Sequence, residues 1–172
     1  MAPRFSCDVA DTYHTHSKLI TYKFRGLFMT TPTNSPHYLA EGETWPTMPD
    51  VVLRPAFTDA RGGIQPLVDI PMQSAVLIET HKGAIRANHY HKTDWHFCYV
   101  VKGCIEYHHR ATGSTGKPDR LLVPAGSMVF TPPMVDHLMQ FPEDTTFLCL
   151  SRNPRDQASY EADVVRINLM QD

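Results

Sequence analysis

Residues 83–103 read GAIRANHYHKTDWHFCYVVKG and place His89, His91 and His96 between two glycines. Side chains two positions apart on a strand point to the same face, so an extended backbone brings His89 and His91 to one side. The four residues that follow His91 leave room for a turn, and the next apolar run is typical of a second strand beginning beside the first. His96 would begin that strand as a third candidate metal ligand.

A fourth histidine follows a pair of prolines. The segment at 121–141 reads LLVPAGSMVFTPPMVDHLMQF, and its consecutive prolines form a rigid elbow that cannot join a central ladder. A side chain just past such an elbow can point inward from the mouth of a strand. We therefore expect one metal site with four ligands: His89, His91, His96 and His137.

The rest of the chain predicts an all-β domain. From residue 51 onward, short runs rich in β-branched and aromatic residues recur with turn residues between most of them, which is typical of a sandwich or barrel. The best helix candidate is 154–162, with Asn153 as its cap. Residues 1–50 lack a sustained period, so we expect a poorly ordered extension there and a single domain over 51–172.

Composition excludes several partners. The chain has 172 residues and a formal charge of −2, with 16 basic and 18 acidic side chains, so no basic surface for nucleic acid or an anionic membrane is expected. The longest apolar runs are strand-sized, and no secretory signal is recognisable, which favours a cytoplasmic protein. The four cysteines form no CxxC pair and are interpreted as buried reduced thiols.

The two histidine segments resemble the paired motifs of the cupin superfamily. The first motif is G, five residues, H-x-H, three or four residues, E, six residues, G; Gly83, His89, His91 and Gly103 match it, with His96 at the glutamate position. Three further positions carry the second motif, with Met134 where the family has glycine and Phe141 where it has asparagine: Gly126, Pro132 and His137. The resemblance covers residues 55–152 and implies a double-stranded β-helix, a small barrel built from two sheets. Small cupins are usually dimers, so it also implies a homodimer.

A looser resemblance is to the cupins of deoxysugar biosynthesis, the 3,5-epimerases and 3,4-ketoisomerases of nucleotide-linked 4-keto sugars. It rests on Asp59-Ala-Arg61-Gly62 and on the run RANHYHK at 86–92. The histidines of those enzymes do acid–base work without a metal, and the position of His96 tends to be glutamine in them. The additional histidines His96 and His137 favour a metal here.

Four neutral imidazoles suit a divalent transition metal, such as Fe, Zn, Ni, Mn or Cu, better than magnesium or calcium. The alternative is a general base among the histidines without a metal. We expect His89, His91 and Arg86 to be catalytic. Arginine forks bind carboxylate or phosphate, so Arg61 and Arg86 are candidate substrate ligands, as is Gln140 at the pocket mouth. Arg61 has a second interpretation, a surface ion pair or a bond that stabilises its turn.

These residues favour a metal-dependent cupin enzyme on a small polar substrate, with isomerisation or epimerisation of a keto sugar as the first hypothesis. An Fe(II) dioxygenase is the second, because an all-histidine site leaves positions open for oxygen. A small-molecule binding module without chemistry, held together by a metal, is the third.

Overall fold

The computed structural model describes residue 46 and residues 49–170. The predicted extension at 1–50 therefore lies almost entirely outside the described residues. None of the described helices is long and apolar enough to cross a membrane.

Two five-stranded antiparallel sheets form the body of the domain. The first has the order β1-β9-β6-β11-β4. Its strands are β1 (Asp50–Val51), β4 (Ser74–Thr80), β6 (His96–Lys102), β9 (Met128–Thr131) and β11 (Thr145–Ser151). The second has the order β12-β5-β10-β7-β8. Its strands are β5 (Ile85–His91), β7 (Cys104–Ala111), β8 (Asp119–Pro124), β10 (Val135–Gln140) and β12 (Val164–Arg166). The predicted all-β class is confirmed.

The two histidine-bearing strands of the opening segment belong to different sheets. β5 pairs with β10 and β12, whereas β6 pairs with β9 and β11. The expectation that β6 begins beside β5 is therefore wrong. The residues between them, including the buried Trp95, cross from one sheet to the other instead of closing a hairpin. His96 consequently lies on the wall of the barrel opposite His89 and His91.

A hairpin and a helix complete the described chain. Among the strands of residues 49–170, β2 (Phe57–Asp59) and β3 (Gly62–Ile64) pair only with each other. The helix α1 (Gln157–Asp163) is capped by Asp156, whose side chain accepts a hydrogen bond from the Ser159 amide. A helix is thus confirmed in the predicted region, but the cap is Asp156 and not Asn153. Instead, the backbone N–H of Asn153 donates a hydrogen bond to the Asp94 carboxylate at 2.8 Å.

The space between the sheets changes from polar to apolar along each strand. The inward face of β6 runs from His96 through Cys98 to Val100, and β10 runs from His137 through Met139 toward Phe141. Beyond the histidines a cluster of buried residues closes the barrel: Cys98, Val100, Ile105, Tyr107, Val123, Val129, Met139, Phe141, Phe147 and Cys149. The polar end is therefore left as the place for a site.

Gly103 joins β6 to β7 and so links the two sheets. Its φ is +83°, and a Cβ there would lie 2.5 Å from Thr145 Oγ1 and 2.6 Å from the Asp144 carbonyl oxygen. Only glycine fits this turn.

Candidate active site

A cavity of about 130 Å³ opens at the polar end of the barrel. All four predicted metal ligands line it. The remaining lining residues come from β4, β5, β6, β10, β11 and the C-terminal segment: Ile78, Arg86, Ala87, Cys98, Met139, Phe147, Cys149, Arg155 and Tyr160.

Three of the four histidines meet at one point. His89, His91 and His137 each offer a ring nitrogen within 4.8 Å of the other two, and all three side chains are buried. The centroid of the His89 ring lies 4.8 Å from the ring centroid of His91 and 4.7 Å from that of His137. We call these three residues the histidine triad.

A β-bulge aims His89 at this point. His89 pairs with His137 across β5 and β10, while Leu138 pairs with Ala87, so Asn88 is the extra residue. Ala87 and Asn88 have φ values of +62° and +58°, which only a local irregularity imposes on residues other than glycine. The Asn88 side chain accepts a hydrogen bond from the Leu169 amide at 3.0 Å. The C-terminal segment thus covers and stabilises the bulge.

Two of the triad histidines have one ring nitrogen bound to an oxygen acceptor. His91 Nδ1 lies 2.8 Å from Asp163 Oδ2, and His137 Nδ1 lies 3.0 Å from the Val135 carbonyl oxygen. An oxygen that can only accept forces the bonded nitrogen to carry the proton, so the other nitrogen of each neutral ring presents a lone pair.

Asp163 is held as a carboxylate. Burial raises its pKa, but hydrogen bonds from His91 and Thr93 outweigh this and lower it to about 2. Thr93 contributes its amide and its hydroxyl, both at 2.7 Å from Asp163 Oδ1. Asp163 therefore fixes both the orientation and the tautomer of His91.

His89 and His137 are neutral near physiological pH. Burial, with the nearby positive charges, lowers the pKa of His89 to about 3. Burial and the neighbouring His89 hold the pKa of His137 well below its usual range. Neutral imidazoles are the form that binds a metal. In addition, His91 Nε2 is buried and has no hydrogen-bond partner among the described residues.

This arrangement fits a transition metal. Ligating histidines characteristically donate their second nitrogen to a carboxylate or carbonyl, as His91 and His137 do here, and His91 Nε2 is a buried acceptor without a partner in the described part of the chain. The donor set suits zinc, iron, nickel or copper.

His96 lies beside the triad, and its ring is at least as near to His91 and His137 as those two rings are to each other, at 5.7 Å. Its ring centroid is 5.2 Å from that of His91 and 5.5 Å from that of His137. Its ligand atom instead groups within 4.8 Å with those of Cys98 and Cys149, and in a separate group with those of His91 and Asp94. The geometry thus groups three of the four predicted ligands around one point and places the fourth on the opposite wall.

Of the predicted substrate ligands, only Arg86 lines the cavity. Its Nε donates to Thr80 Oγ1 at 2.6 Å, and its Nη2 donates to the Glu79 carbonyl oxygen at 3.1 Å. Arg61 is exposed on the β2–β3 turn, where it pairs with Asp59, so its second interpretation agrees with the structure. Gln140 ends β10 and is not among the lining residues. The structure does not place Arg61 or Gln140 in the cavity wall.

Two further residues enter the cavity from the C-terminal segment. The Arg155 guanidinium carbon lies 5.5 Å from the centroid of the Tyr160 ring. The Tyr160 ring in turn lies 6.2 Å from His89 and 6.1 Å from His91, edge to face. Burial raises the pKa of Tyr160, so its phenol keeps its proton at neutral pH. The sequence places a cation and an aromatic residue here, but no short motif marks them.

No protein-family model and no curated protein matches this sequence. Solved structures do match. The sugar 3,4-ketoisomerase QdtA from Thermoanaerobacterium thermosaccharolyticum, in complex with TDP, is 18% identical, with a TM-score of 0.54 over 69% of this chain and 85% of that one. A 3,4-ketoisomerase from Helicobacter canadensis is 16% identical, with a TM-score of 0.55 over 65% and 85%.

The dTDP-4-dehydrorhamnose 3,5-epimerase from Sulfolobus tokodaii is 20% identical, with a TM-score of 0.51 over 64% of this chain and 79% of that one. At such identities the likeness establishes the fold. The protein therefore has the cupin fold, and its expected resemblance to the sugar 3,4-ketoisomerase and 3,5-epimerase cupins is confirmed at the level of the fold.

Proposed function

We propose that the protein is an isomerase or epimerase of a nucleotide-linked keto sugar. The observation that carries the proposal is the buried His91–Asp163 pair, whose free Nε2 faces a cavity that Tyr160 also lines. Moving a carbonyl or inverting a carbon beside it requires removal of a proton next to the carbonyl. An oriented neutral imidazole and a protonated phenol are the groups for that chemistry.

The residues divide the proton transfers between them. His91 Nε2 takes the proton from the carbon beside the carbonyl, and Asp163 stabilises the imidazolium that forms. Tyr160 gives its proton to the carbonyl oxygen, which leaves an enediol. In an isomerisation, the His91 imidazolium returns its proton to the former carbonyl carbon, and the Tyr160 phenolate takes the proton of the other enediol hydroxyl as the new carbonyl forms. In an epimerisation, a solvent proton adds to the opposite face of the same carbon, His91 releases its proton to solvent, and Tyr160 takes back the proton it gave. No oxidant is needed, because the carbon skeleton as a whole keeps its oxidation level.

The size of the cavity supports binding of the sugar inside it, with the nucleotide outside. Its volume of about 130 Å³ is below the roughly 300 Å³ at which pockets for drug-sized ligands begin. The sugar ring would therefore enter while the nucleotide stays outside. Arg86, an exposed residue that lines the cavity, and Arg155 are the cations available to an anionic substrate.

We also propose that the histidine triad binds a divalent transition metal. Such an ion would polarise the substrate carbonyl and acidify the adjacent C–H bond. One lone pair of His91 cannot bind a metal and accept a proton at the same time. With a metal bound, His91 would be one of the residues that hold it, and a water molecule or Tyr160 would have to move the proton.

The test is solvent exchange. TDP-4-keto-6-deoxyglucose, the compound bound in one QdtA structure, is incubated with the protein in D₂O and followed by NMR. We expect deuterium beside the carbonyl and a new isomer, both lost in His91→Asn. Arg120→Ala is the matched control, because Arg120 pairs with Glu106 and does not line the cavity. No exchange with this or related keto sugars would refute the proposal, whereas exchange abolished by a chelator and restored by one metal would support the metal.

Oxygen chemistry is a second candidate, favoured by the three-histidine arrangement. A site with three imidazoles leaves positions open for oxygen on Fe(II). Oxygen uptake by the iron-loaded protein in the presence of a substrate would favour it. Keto-sugar turnover that is unchanged without oxygen would favour the isomerase.

A further inference from the structure

The wall of the cavity opposite the triad carries a second cluster of ligand atoms. A ring nitrogen of His96 and the sulfurs of Cys98 and Cys149 lie within 4.8 Å of one another. The three side chains are 3%, 1% and 3% exposed. The chemistry proposed above uses none of them.

The backbone of the first sheet brings these residues together. His96 and Cys98 are two positions apart on β6 and share its inner face. Cys149 on β11 is the direct register partner of Cys98. Side chains of directly opposed residues on antiparallel strands are close enough to share an ion. The cluster thus follows from strand pairing and does not depend on a mobile loop.

A second observation points to a ligand. His96 Nδ1 is buried and has no hydrogen-bond partner among the described residues. A buried polar nitrogen without a hydrogen-bond partner is unfavourable. Binding an ion would offset that cost.

We propose that His96, Cys98 and Cys149 form a second metal site, selective for a thiophilic ion such as Zn²⁺ or Cu⁺. Thiolate and imidazole ligands select such ions over magnesium, calcium or manganese. Three protein ligands leave one position of a tetrahedral ion open, which is the pattern of catalytic zinc sites. The inference does not depend on the reaction proposed above.

The surroundings support the charge that such a site requires. Two thiols lose their protons to solvent when the ion binds, and two thiolates neutralise a divalent ion. Arg155 Nη2 lies 3.3 Å from Cys149 Sγ, and the Ser151 hydroxyl lies 3.6 Å from the same sulfur. A guanidinium and a hydroxyl are donors that stabilise a thiolate.

X-ray absorption tests the site directly. The His137→Ala variant of the full chain, which lacks one triad ligand, is loaded with one equivalent of Zn²⁺. We expect a sulfur shell at about 2.3 Å. A spectrum with only nitrogen and oxygen at about 2.0–2.1 Å, or absence of binding, would overturn the proposal. If the variant does not fold, the wild-type protein with two equivalents gives the same decision, because the proposal requires sulfur in the average shell.

A pair of double variants provides the matched control. Cys7→Ser/Cys104→Ser keeps the proposed site, whereas Cys98→Ser/Cys149→Ser removes it and keeps two other thiols. Titration with Cd²⁺ should produce a stoichiometric thiolate charge-transfer band only in the first. Adding His96→Ala to that variant should weaken Cd²⁺ binding by about tenfold or more. A band of equal strength in both double variants, or none in the first, would contradict the site.

Discussion

The two walls of the cavity hold their imidazoles in different ways. On the β5–β10 wall, His91 and His137 each have one nitrogen bound to an oxygen acceptor, namely Asp163 and a backbone carbonyl. On the β6–β11 wall, His96 has a buried nitrogen without a partner among the described residues, and two thiols are among the ligand groups within 4.8 Å of its ring nitrogen. Fixed tautomers indicate that the triad is preorganised. On the opposite wall, a bound ligand would supply the partner that the His96 nitrogen does not have among the described residues.

Acidification should have the largest effect, a loss of folding stability to which histidines of both walls contribute. The pKa values of His89, His96 and His137 are all lowered by burial, from an ordinary value of 6.5. The unfolded chain therefore binds more protons below pH 6.5, so stability is full above that pH and falls as the pH drops toward 3. Each imidazole contributes up to about 1.4 kcal/mol per pH unit in that range.

The measurement is the unfolding temperature of the metal-stripped protein between pH 7 and pH 4. We expect a steep fall with acidification, reduced in a His96→Gln variant that removes one of the three groups. A stability that is flat across this range would show that these imidazoles are not buried in neutral form.

Substitution of Gly103, which connects the two walls, should have the next largest effect on folding stability. Gly103→Ala imposes a left-handed conformation and a clash with Thr145, for a loss of about 3 kcal/mol in the free energy of unfolding. Gly83→Ala is the control, because its φ is +81° but no atom of the described residues lies within 4 Å of a Cβ there, so it should cost about 1 kcal/mol. Chemical denaturation measures both. Equal losses would mean that Gly103 does not set the spacing of the sheets.

Removal of one oxygen acceptor sharpens the contrast between the walls. Asp163→Asn should weaken metal binding at the triad by about 10- to 100-fold, because the amide no longer fixes the tautomer of His91. Asp136→Asn changes another buried carboxylate, on β10, but Asp136 accepts from Thr112 and Arg110 and does not line the cavity. Calorimetric titration of both variants with Zn²⁺ should show the loss only for Asp163→Asn. A similar loss in both would argue against a specific role for Asp163.

The smallest expected effect concerns the bulge that aims His89. Ala87→Gly removes the penalty of a φ of +62° at some entropic cost, with a net gain of about 0.5 kcal/mol. Ala75→Gly, in the exposed part of β4, should instead lose about 0.5–1 kcal/mol. Thermal unfolding distinguishes the two signs. A loss in both would mean that the bulge is not strained.

The sequence predicts the strands and the histidines of this site better than it predicts the residues that surround those histidines. The H-x-H spacing and the proline elbow are local patterns, and the cavity contains all four histidines they indicated. The placement of His96 on the opposite sheet was missed, because a four-residue connection is compatible with a hairpin as well as with a crossing between sheets.

The spacing of residues in the sequence does not predict which C-terminal side chains contact the histidines. Asp163 lies 72 residues from His91, and nothing in the sequence of a short polar helix specifies which strand it covers. Arg61 shows the converse: an arginine beside glycines resembles a motif, yet its short distance from Asp59 makes a local ion pair sufficient. Local patterns identify candidate ligands, and the fold decides which of them meet.

The central claim is that the triad, without His96, forms one centre. It is tested most directly by Zn²⁺ affinity in a Cys98→Ser/Cys149→Ser background, where the two thiols of the opposite wall are absent. We predict that His137→Ala lowers the affinity by about a hundredfold or more, whereas His96→Ala changes it by less than about tenfold. Equal losses in the two variants, or no Zn²⁺ binding before either change, would contradict the account.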